Sequence, residues 1–244
     1  MKLSVVIPVL NERASLPATI AALRACHGVS EIIVSDGGST DGTVAWLQSQ
    51  PDIVLVRSIR GKGPQINVGV AAAFDVAAPA DISEIALLIL HGDCIISQIA
   101  IDALHAALAN PQLAGGAFYI RFAESYPRAL RLVSWGINLR ARLRGSATGD
   151  QGIFVRRDVF QSIGGAPDWP LFEDVELVRR IKQAGKFTVL KTPLTVSGRR
   201  YIEHGVFRTA LLIYSLRFAY WLGVPPQRLK NWFRDARTDQ KSRD

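Results

Sequence analysis

Short apolar runs alternate with amphipathic or alanine-rich segments along the first half of the chain. Runs rich in β-branched residues predict four strands, at Leu3–Pro8, Glu31–Ser35, Ile53–Arg57 and Ile85–Leu90. The segments between them predict helices at Leu16–Ala25, at Thr43–Gln50 and near Asn67–Ala77. Continuous apolar strands that alternate with helices are typical of a parallel sheet covered on both faces. The pattern therefore predicts an α/β fold with a mostly parallel sheet.

The alternation is less regular after a further predicted helix at Ile99–Leu108. The pattern then predicts strands at Gly115–Phe122, Ile153–Arg156 and Phe187–Leu190, and helices at Ala129–Leu143 and Glu173–Ala184. A segment rich in Gly, Pro and Trp, Gly164–Pro170, precedes the second of these helices. We expect this half of the chain to form a less regular extension of the sheet.

A long apolar segment, Val206–Leu222, lies near the C-terminus. Arg208 and Arg217 interrupt it, and the uncharged stretch between them is well short of the about 20 residues that span a bilayer. We expect a helix that packs on the core or on a second copy of the chain. Arginine and lysine residues near both ends leave shallow contact with a membrane surface as a further alternative.

Composition and charge narrow the class of protein. A chain of 244 residues with 48% hydrophobic and 20% charged residues is long enough for one large α/β domain, or for one domain and a tail. Cys26 and Cys94 have no Cys or His nearby at metal-ligand spacing, so we expect neither disulfide nor zinc, and a cytoplasmic location. Pro8 interrupts the apolar N-terminal run, which ends too early for a secretory signal. The net charge of +8 favours an anionic partner: nucleic acid, an anionic membrane or a phosphate-bearing substrate.

Polar residues follow the predicted strands at the points where four of them end. Because open parallel sheets bind ligands outside the carboxyl ends of their strands, these residues are candidates for a binding site. They lie at Pro8–Glu12, Asp36–Asp41, Arg57–Gly63 and His91–Asp93.

Asp36 follows an apolar strand and precedes two glycines and a Ser-Thr-Asp helix start. Gly37 and Gly38 allow close backbone approach, and free N–H groups at a helix start favour an anion, so a base or a phosphate fits there. The alternative is a tight turn that Asp36 stabilises, with Ser39 or Asp41 capping the helix.

His91-Gly92-Asp93 ends the most hydrophobic predicted strand. A carboxylate exposed at such a sheet edge can hold a hard divalent cation bound to a diphosphate. The alternative is an ordinary turn after the strand, where Asp is common.

Glu173 and Asp174 open a predicted helix after a Trp-Pro-Leu-Phe stretch. Apolar neighbours that exclude water raise the proton affinity of a carboxylate, as a general base requires. The alternative is that both residues only complement the helix dipole.

Two basic regions are candidates for phosphate recognition. Arg57, Arg60 and Lys62 lie in a glycine-rich segment that matches neither the P-loop nor the dinucleotide fingerprint. A second group precedes Gly149-Asp150-Gln151-Gly152 and favours a phosphate-bearing acceptor; its members are Arg128, Arg131, Arg140, Arg142 and Arg144. In both regions the alternative is a solvated basic surface.

Taken in order, these motifs resemble the family-2 glycosyltransferases with the GT-A fold. The similarity covers roughly Lys2 to Leu222, and its motifs occur in the family's order. It includes Val5–Glu12 as the first strand and loop, Ser35–Thr43 as the base-reading segment, Gly61–Gly69 as the glycine-rich loop, His91–Asp93 as the metal-binding element and Glu173-Asp174 as the Glu-Asp motif. The combination of these motifs with Trp135–Arg140 and Gly149–Arg157 is similar to a small bacterial branch called radical-SAM/selenodomain-associated or arsenosugar-biosynthesis glycosyltransferases.

The resemblance implies a GT-A-type, Rossmann-like nucleotide-binding sheet with an acceptor-side extension and an apolar C-terminal helix. It implies one domain over residues 1–222, with a nucleotide-sugar half at 1–110 and an acceptor and catalytic half at 111–204. A C-terminal helical segment at 205–235 and a tail at 236–244 would follow.

The resemblance also implies a hexosyltransferase-type enzyme that transfers a sugar from a nucleoside-diphosphate sugar with inversion. Asp174 would act as the base with Glu173 in support, and Asp93 would bind Mg²⁺ or Mn²⁺. The implied donor-binding residues are Pro8, Asn11, Glu12, Asp36, Gly38, Arg60, Gly61, Gln65, Asn67, Gly92, Asp93, Asp150 and Gln151.

One departure from the family pattern concerns the metal. His91 stands where the family has the first aspartate of Asp-x-Asp, which leaves Asp93 as the carboxylate of that element. The cation would then take most of its ligands from the nucleotide phosphates, or Arg and Lys would neutralise the charge in its place.

Two other classes remain as alternatives. A sugar-nucleotide nucleotidyltransferase would use similar carboxylates, but the chain shows no Gly-rich loop with Arg and Lys after its first strand. A non-catalytic module that binds a membrane surface would keep the fold without the chemistry. We expect no nucleic-acid partner, because the sequence shows no extended basic face with stacking aromatic residues. The expected partners are the donor, an unidentified acceptor that carries phosphate or a lipid, and either the inner face of the cytoplasmic membrane or a second copy at residues 206–222.

Overall fold

A computed structural model describes residues 1–73 and 84–232 of the chain. The first half contains β1 (Lys2–Val9), α1 (Leu16–Arg24), β2 (Glu31–Asp36), α2 (Thr43–Gln48), β3 (Ile53–Arg57), α3 (Lys62–Ala72), β4 (Ile85–Ile89), β5 (Cys94–Ile95) and α4 (Gln98–Leu108). The second half contains β6 (Leu113–Phe122), α5 (Ala129–Arg144), β7 (Ile153–Arg156), α6 (Arg157–Ser162), α7 (Glu173–Ala184), β8 (Lys186–Val196), α8 (Arg199–His204) and α9 (Val206–Trp221).

The eight strands form one sheet in the order β3-β2-β1-β4-β7-β6-β8-β5. The β3-β2-β1-β4 half is parallel, as the sequence predicts. β7 is antiparallel to both of its neighbours, β6 and β8 are parallel, and β5 is antiparallel to β8. The carboxyl ends of β1, β2 and β4 therefore meet along one edge of the sheet, next to the antiparallel extension.

The alternation of side chains along β1 divides the core into two layers. Val5 and Ile7 pack with α1 and α4 on one face of the sheet. Val6 packs on the other face with Ile66 of α3 and Leu177 of α7. Both faces of the central strand are buried, which explains its nearly continuous apolar sequence.

A third, smaller apolar cluster joins α9 to the start of α7. Phe172, Leu216 and Leu229 are buried together there, with Tyr220 packed against them. The ring centroids of Phe172 and Tyr220 are 5.0 Å apart. This cluster holds α9 over the residues that open α7.

Two element predictions are wrong at their boundaries. α3 begins at Lys62, not near Asn67, because Gly61 has the positive φ of 146° that precedes it and Pro64 fits the first turn of a helix. The predicted end of that helix, at Ala77, lies outside the described residues. β8 extends from Lys186 to Val196, far beyond Leu190, because it follows β6 across a register shift that accommodates Pro193.

The pattern also failed to predict three short elements, β5, α6 and α8, which are too short to show a period. The implied segment 205–235 is described as far as residue 232, with α9 and a further helical stretch at 226–232. The implied tail at 236–244 lies outside the described residues. The division of the chain at residues 110 and 204 stays a prediction.

Gln65 joins the carboxyl ends of β1 and β2. Its buried side-chain amide donates hydrogen bonds to the carbonyls of Val9, at 2.7 Å, and Ser35, at 2.8 Å. We predict that Gln65→Leu lowers the free energy of unfolding by about 1–3 kcal/mol, because both buried carbonyls lose this donor. Chemical denaturation measures the loss, and Gln161→Leu, at an exposed position on α6, is the matched control. Equal stability of the two variants would contradict this role.

Candidate active site

Asp36 is the last residue of β2, at the sheet edge where the sequence places it. Its carboxylate is buried and accepts hydrogen bonds from the N–H groups of Gly38, at 2.9 Å, and Ser39, at 3.1 Å. These contacts are those of the turn-stabilising alternative. A direct contact between Asp36 and a nucleotide stays a prediction.

The tips of β1 and β2 are tied together beside Asp36. Asn11, which has a left-handed backbone with φ of 58°, accepts a hydrogen bond from the Thr40 N–H through its side-chain oxygen at 2.8 Å. Its own N–H donates to the Ser39 hydroxyl, also at 2.8 Å. Gly38 is exposed, with open space where a side chain would stand. Asn11 and Gly38 therefore lie on an accessible ledge, next to the half-buried Pro8.

The glycine-rich segment divides into an exposed part and a structural part. Arg60 is exposed, and Gly61 precedes α3. Gln65 binds the backbone of β1 and β2, and Asn67 exchanges two hydrogen bonds with the backbone of Ala166, at 2.8 and 2.9 Å. The side-chain polar groups of Gln65 and Asn67 are thus engaged with the protein's own backbone, and their predicted contacts with the donor stay untested.

A pocket lies beyond the β4 tip, between the sheet edge, α7, α5 and α9. It brings together five carboxylates from distant parts of the sequence: Glu12, Asp93, Asp150, Glu173 and Asp174. Basic and hydroxyl side chains share its lining: Lys62, His91, Arg140, Arg199, Arg200, Arg217, Tyr201 and Tyr214. The sequence predicted the five carboxylates as site residues, and the fold places them in one cavity.

Gly92 and Gln151 support this pocket from behind. The carbonyl of buried Gly92 accepts a hydrogen bond from the Thr19 hydroxyl at 3.0 Å. Gln151 is fully buried; its amide donates to the carbonyl of Phe118 at 2.9 Å, and its oxygen accepts from Arg140 at 3.2 Å. The predicted contacts of Gly92 and Gln151 with the donor therefore involve groups that already form hydrogen bonds within the protein.

Lys62 lies between His91 and Glu173. Its ammonium is 3.1 Å from Nε2 of His91 and 3.9 Å from Oε1 of Glu173. Burial lowers the pKa of His91 well below its ordinary value, and the charges of Lys62 and Arg200 act in the same direction. His91 is therefore neutral at pH 7, and its Nε2 accepts the hydrogen bond, because an ammonium group can only donate.

Asp93 and Asp150 form the part of the pocket that fits a cation. Burial raises the pKa of Asp93; Lys62 opposes this rise, and the negative charge of Asp150 adds to it. Oδ1 of Asp150 is buried without a hydrogen-bond partner. Across residues 1–73 and 84–232, no group of three or more His, Cys, Asp and Glu side chains is placed to hold a metal ion. Asp93 and Asp150 thus fit a divalent cation that takes its other ligands from a diphosphate and water.

Glu173 and Asp174 differ in their surroundings although they are adjacent. Asp174 accepts hydrogen bonds from the N–H groups of Gly149, at 2.6 Å, and Val175, at 2.7 Å. Glu173 is 8% exposed, and burial, with the neighbouring charge of Asp174, raises its pKa to about 7. Phe172 precedes the pair in a left-handed conformation with φ of 62°, a strained geometry for a bulky residue. The buried cluster around Phe172 holds this backbone in place.

Several lining residues, among them Arg200, Tyr201, Tyr214 and Arg217, were not predicted from the sequence as site residues. The sequence did contain a signal for Arg217, because an arginine within an apolar segment is either exposed or buried beside a partner group. Periodicity alone could not decide between these, since α9 also packs against α5 and against Phe172, which are distant in the sequence.

The fold is similar to that of solved glycosyltransferase structures. The mannosyltransferase PcManGT of Pyrobaculum calidifontis is 20% identical, with a TM-score of 0.64 over 94% of this chain and 67% of that one. Glucosyl-3-phosphoglycerate synthase of Mycobacterium tuberculosis is 21% identical, with a TM-score of 0.57 over 86% and 76%. A fragment of S. aureus TarS is 15% identical, with a TM-score of 0.60 over 81% of this chain and 60% of that fragment. These similarities confirm the predicted GT-A fold.

The family model described as Glycosyl transferase family 2 matches residues 4–164, more than half of the chain. The chain therefore belongs to glycosyl transferase family 2, as the resemblance implied. No curated protein sequence matches it significantly. In the described part of the chain, no helix has the length and apolar character needed to cross a bilayer.

The pH dependence of stability tests the environment of Glu173. Its pKa in the folded protein, about 7, lies above the ordinary value of 4.5, so the folded state keeps a proton that the unfolded state has lost between these pH values. The free energy of unfolding should fall as pH rises through this window. We predict that Glu173→Gln removes this part of the slope, whereas Glu124→Gln, at an exposed position, leaves it unchanged. Denaturation curves from pH 4 to 8 measure both, and an unchanged slope in Glu173→Gln would refute the raised pKa.

Proposed function

We propose that this protein transfers a sugar from a nucleoside-diphosphate sugar to an acceptor hydroxyl. The observation that carries the proposal is the pocket in which Asp93, Asp150 and the Glu173–Asp174 pair meet beside the edge of a family-2 sheet. Solved structures of the same fold support this choice. TarS was crystallised with UDP and with UDP-GlcNAc, PcManGT with GDP-Man and Mn²⁺, and the synthase with UDP, Mn²⁺ and phosphoglyceric acid.

The donor is proposed to lie along the strand tips, with its nucleotide on the ledge of Asn11 and Gly38 and its diphosphate near Asp93. Asp93 and Asp150 would hold a divalent cation, which when bound neutralises the charge that develops on the leaving diphosphate. Lys62 adds a positive charge at the same place, since its ammonium lies beside His91 and Glu173. The neutral state of His91 keeps a further positive charge out of this cation site.

The Glu173–Asp174 pair is proposed as the general base that removes the proton of the acceptor hydroxyl. A base works best when its proton affinity matches the operating pH, and the raised pKa of Glu173 meets this condition. Because the two carboxylates interact strongly, the proton belongs to the pair as a unit. Asp174, held by two N–H groups, keeps free lone pairs that can face the acceptor. Direct attack by the activated hydroxyl implies inversion at the sugar carbon.

The exposed face of α9 is proposed to meet an anionic membrane surface. Phe207, Leu211, Tyr214, Phe218 and Trp221 are exposed at spacings of four and three residues, which places them along one side of the helix. Arg208, exposed within α9, together with the net charge of +8, complements anionic headgroups. The narrower bacterial branch and the hexosyltransferase class also remain proposals.

Donor binding and transfer test the proposed enzyme directly. We expect one of the labelled UDP-, GDP- and TDP-sugars to bind in the presence of Mn²⁺ and to transfer its sugar to a suitable acceptor. A thermal-shift screen of nucleoside diphosphates with and without Mn²⁺ identifies the base, because a ligand of the folded state raises the melting temperature. The proposal fails if no donor binds or turns over. Pyrophosphate release from a nucleoside triphosphate would instead indicate a nucleotidyltransferase.

Asp174→Asn tests the base. We expect it to lower the transfer rate by about a hundredfold or more while donor affinity stays the same, since a positioned base contributes about 10²–10⁴ in rate. Glu173→Gln shows which member of the pair controls the pH profile of kcat, and Asp158→Asn, at an exposed position, is the control. Transfer at the wild-type rate by Asp174→Asn would remove Asp174 from this role.

Vesicle flotation tests the membrane contact. The wild-type chain should float with phosphatidylglycerol vesicles at low salt and less with phosphatidylcholine vesicles. The double variant Leu211→Glu/Phe218→Glu should lose this binding, whereas Ile99→Glu, an isolated exposed apolar residue on α4, should keep it. Flotation of the double variant at the wild-type level would exclude α9. If the wild-type chain does not bind vesicles but forms dimers in sedimentation equilibrium, and the double variant is monomeric, this face contacts a second copy of the chain.

A further inference from the structure

Two arginines on different helices line the same wall of the pocket. Arg140 is in α5 and Arg217 is in α9, and both side chains are half-buried. Tyr201 and Tyr214 lie in the same lining and bring hydroxyl donors to it. The wall therefore offers two guanidinium groups and two phenols to a molecule in the pocket.

Among the described residues, neither arginine forms an ion pair within 4 Å, although Asp150 and Asp174 lie close enough to oppose the lowering of both pKa values. Arg140 donates to Gln151 Oε1 at 3.2 Å and to Thr148 Oγ1 at 3.5 Å, both uncharged, and its Nε is buried without a partner. Two half-buried cations without ion-paired carboxylates are costly, and an anionic ligand would offset that cost.

The two arginines repel each other while they stay charged. Burial lowers the pKa of Arg140 to about 10, and the positive charge of Arg217 adds to the effect. Burial also lowers the pKa of Arg217, against the opposing charges of Asp174 and Asp150. The charge of Arg144 adds to the lowering of the pKa of Arg217, and both guanidinium groups are still protonated at pH 7. An anion with two negative charges would match this pair.

The wall faces the candidate base and not the nucleotide ledge. Arg140 holds Gln151 and Thr148, and the neighbouring Gly149 donates its N–H to Asp174 at 2.6 Å. Neither Asn11 nor Gly38 belongs to the pocket lining. Arg217 comes from the part of the chain beyond residue 164, where the family match ends. The wall thus combines a residue within the family match with one from outside it, next to the place where the acceptor hydroxyl must lie.

We propose that Arg140 and Arg217 form a subsite for a phosphate monoester carried by the acceptor. The inference rests on the proposed function, because it assigns this wall to the acceptor of that transfer. Guanidinium groups present planar pairs of N–H donors that match phosphate oxygens, and a monoester carries close to two negative charges at pH 7. A neutral sugar hydroxyl would leave both guanidinium groups without a directly bonded anion. The same phosphate could belong to a soluble metabolite or to a lipid.

Inorganic phosphate is the probe for this subsite. Calorimetric titration of the full chain, saturated with its nucleoside diphosphate and Mg²⁺, measures phosphate binding while the donor site is filled. Arg140→Gln and Arg217→Gln should each weaken phosphate binding by at least about tenfold, as expected for the loss of charge-assisted hydrogen bonds. Arg24→Gln is the control, because Arg24 is exposed on α1 and does not line the pocket. No measurable phosphate binding by the wild-type chain, or equal effects of all three variants, would overturn the proposal.

Stability separates a binding role from a structural one. Since Arg217 forms no ion pair within 4 Å in the described part of the chain, Arg217→Gln should fold with an unchanged or higher melting temperature. A variant that fails to fold would show that the arginine holds the protein together, and the proposal would fall. Nucleotide affinity should also be unchanged in Arg217→Gln. Its loss would assign the arginine to the donor diphosphate, and that result would overturn the acceptor subsite.

The source of the phosphate and the donor site are tested in separate measurements. Glycerol 3-phosphate represents a soluble acceptor, and phosphatidic acid in phosphatidylcholine vesicles represents a lipid. The ligand whose binding is weakened by Arg217→Gln identifies the source of the phosphate. If Arg217→Gln weakens the binding of neither ligand, the proposal is overturned. If no nucleoside diphosphate binds, while phosphate binding still depends on both arginines in the nucleotide-free chain, the proposed transferase fails and the phosphate subsite stands. The two failures are thus distinguishable.

Discussion

The short turn at Gly149–Gln151 connects the parts of the candidate site, because three separate elements depend on its hydrogen bonds. Gly149 donates its N–H to Asp174 at the start of α7. The buried side chain of Gln151 binds the carbonyl of Phe118 in β6 and accepts a hydrogen bond from Arg140 in α5. A side chain on Gly149 would come within 2.5 Å of His91. The turn therefore sets the distance between the β4 tip, the carboxylate pair and the arginine wall.

The cavity contains more charged side chains close together than a hydrophobic core can hold without a loss of stability. Buried carboxylates near one another raise each other's pKa, and burial lowers the pKa of an arginine that has no ion-pair partner. Such an arrangement costs free energy in the empty protein and is repaid when ligands of opposite charge bind. The apolar cluster of Phe172, Leu216 and Leu229 supports it from outside, since it holds α9 against the opening of α7. The strained backbone of Phe172 is part of the same arrangement.

The two halves of the chain have different relations to this cavity. The parallel half brings Asp36, Lys62 and Asp93 to one edge of the sheet through strand order alone, and the family match covers this half. The segment after residue 164 supplies the carboxylate pair, Tyr201 and Arg217, and closes the cavity. Under the proposed function, a division of this kind would allow one sheet to serve different acceptors, because the proposed acceptor wall could change while the proposed donor edge is retained.

The sequence by itself determined the parallel half of the sheet and the carboxylates at its edge. Apolar runs are local signals of strands, and the carboxyl ends of parallel strands meet at one sheet edge, so Asp36 and Asp93 could be recognised before any contact was known. The family order of the motifs added Asp150. The roles of Gln65, Asn67 and Gln151 required the tertiary structure. A side-chain amide can form a hydrogen bond to a ligand or to the backbone equally well, and the sequence does not distinguish the two. The structure also decided that β8 continues past Pro193 and that Arg217 turns into the pocket. Long-range packing determines both, and no local pattern of residues records it.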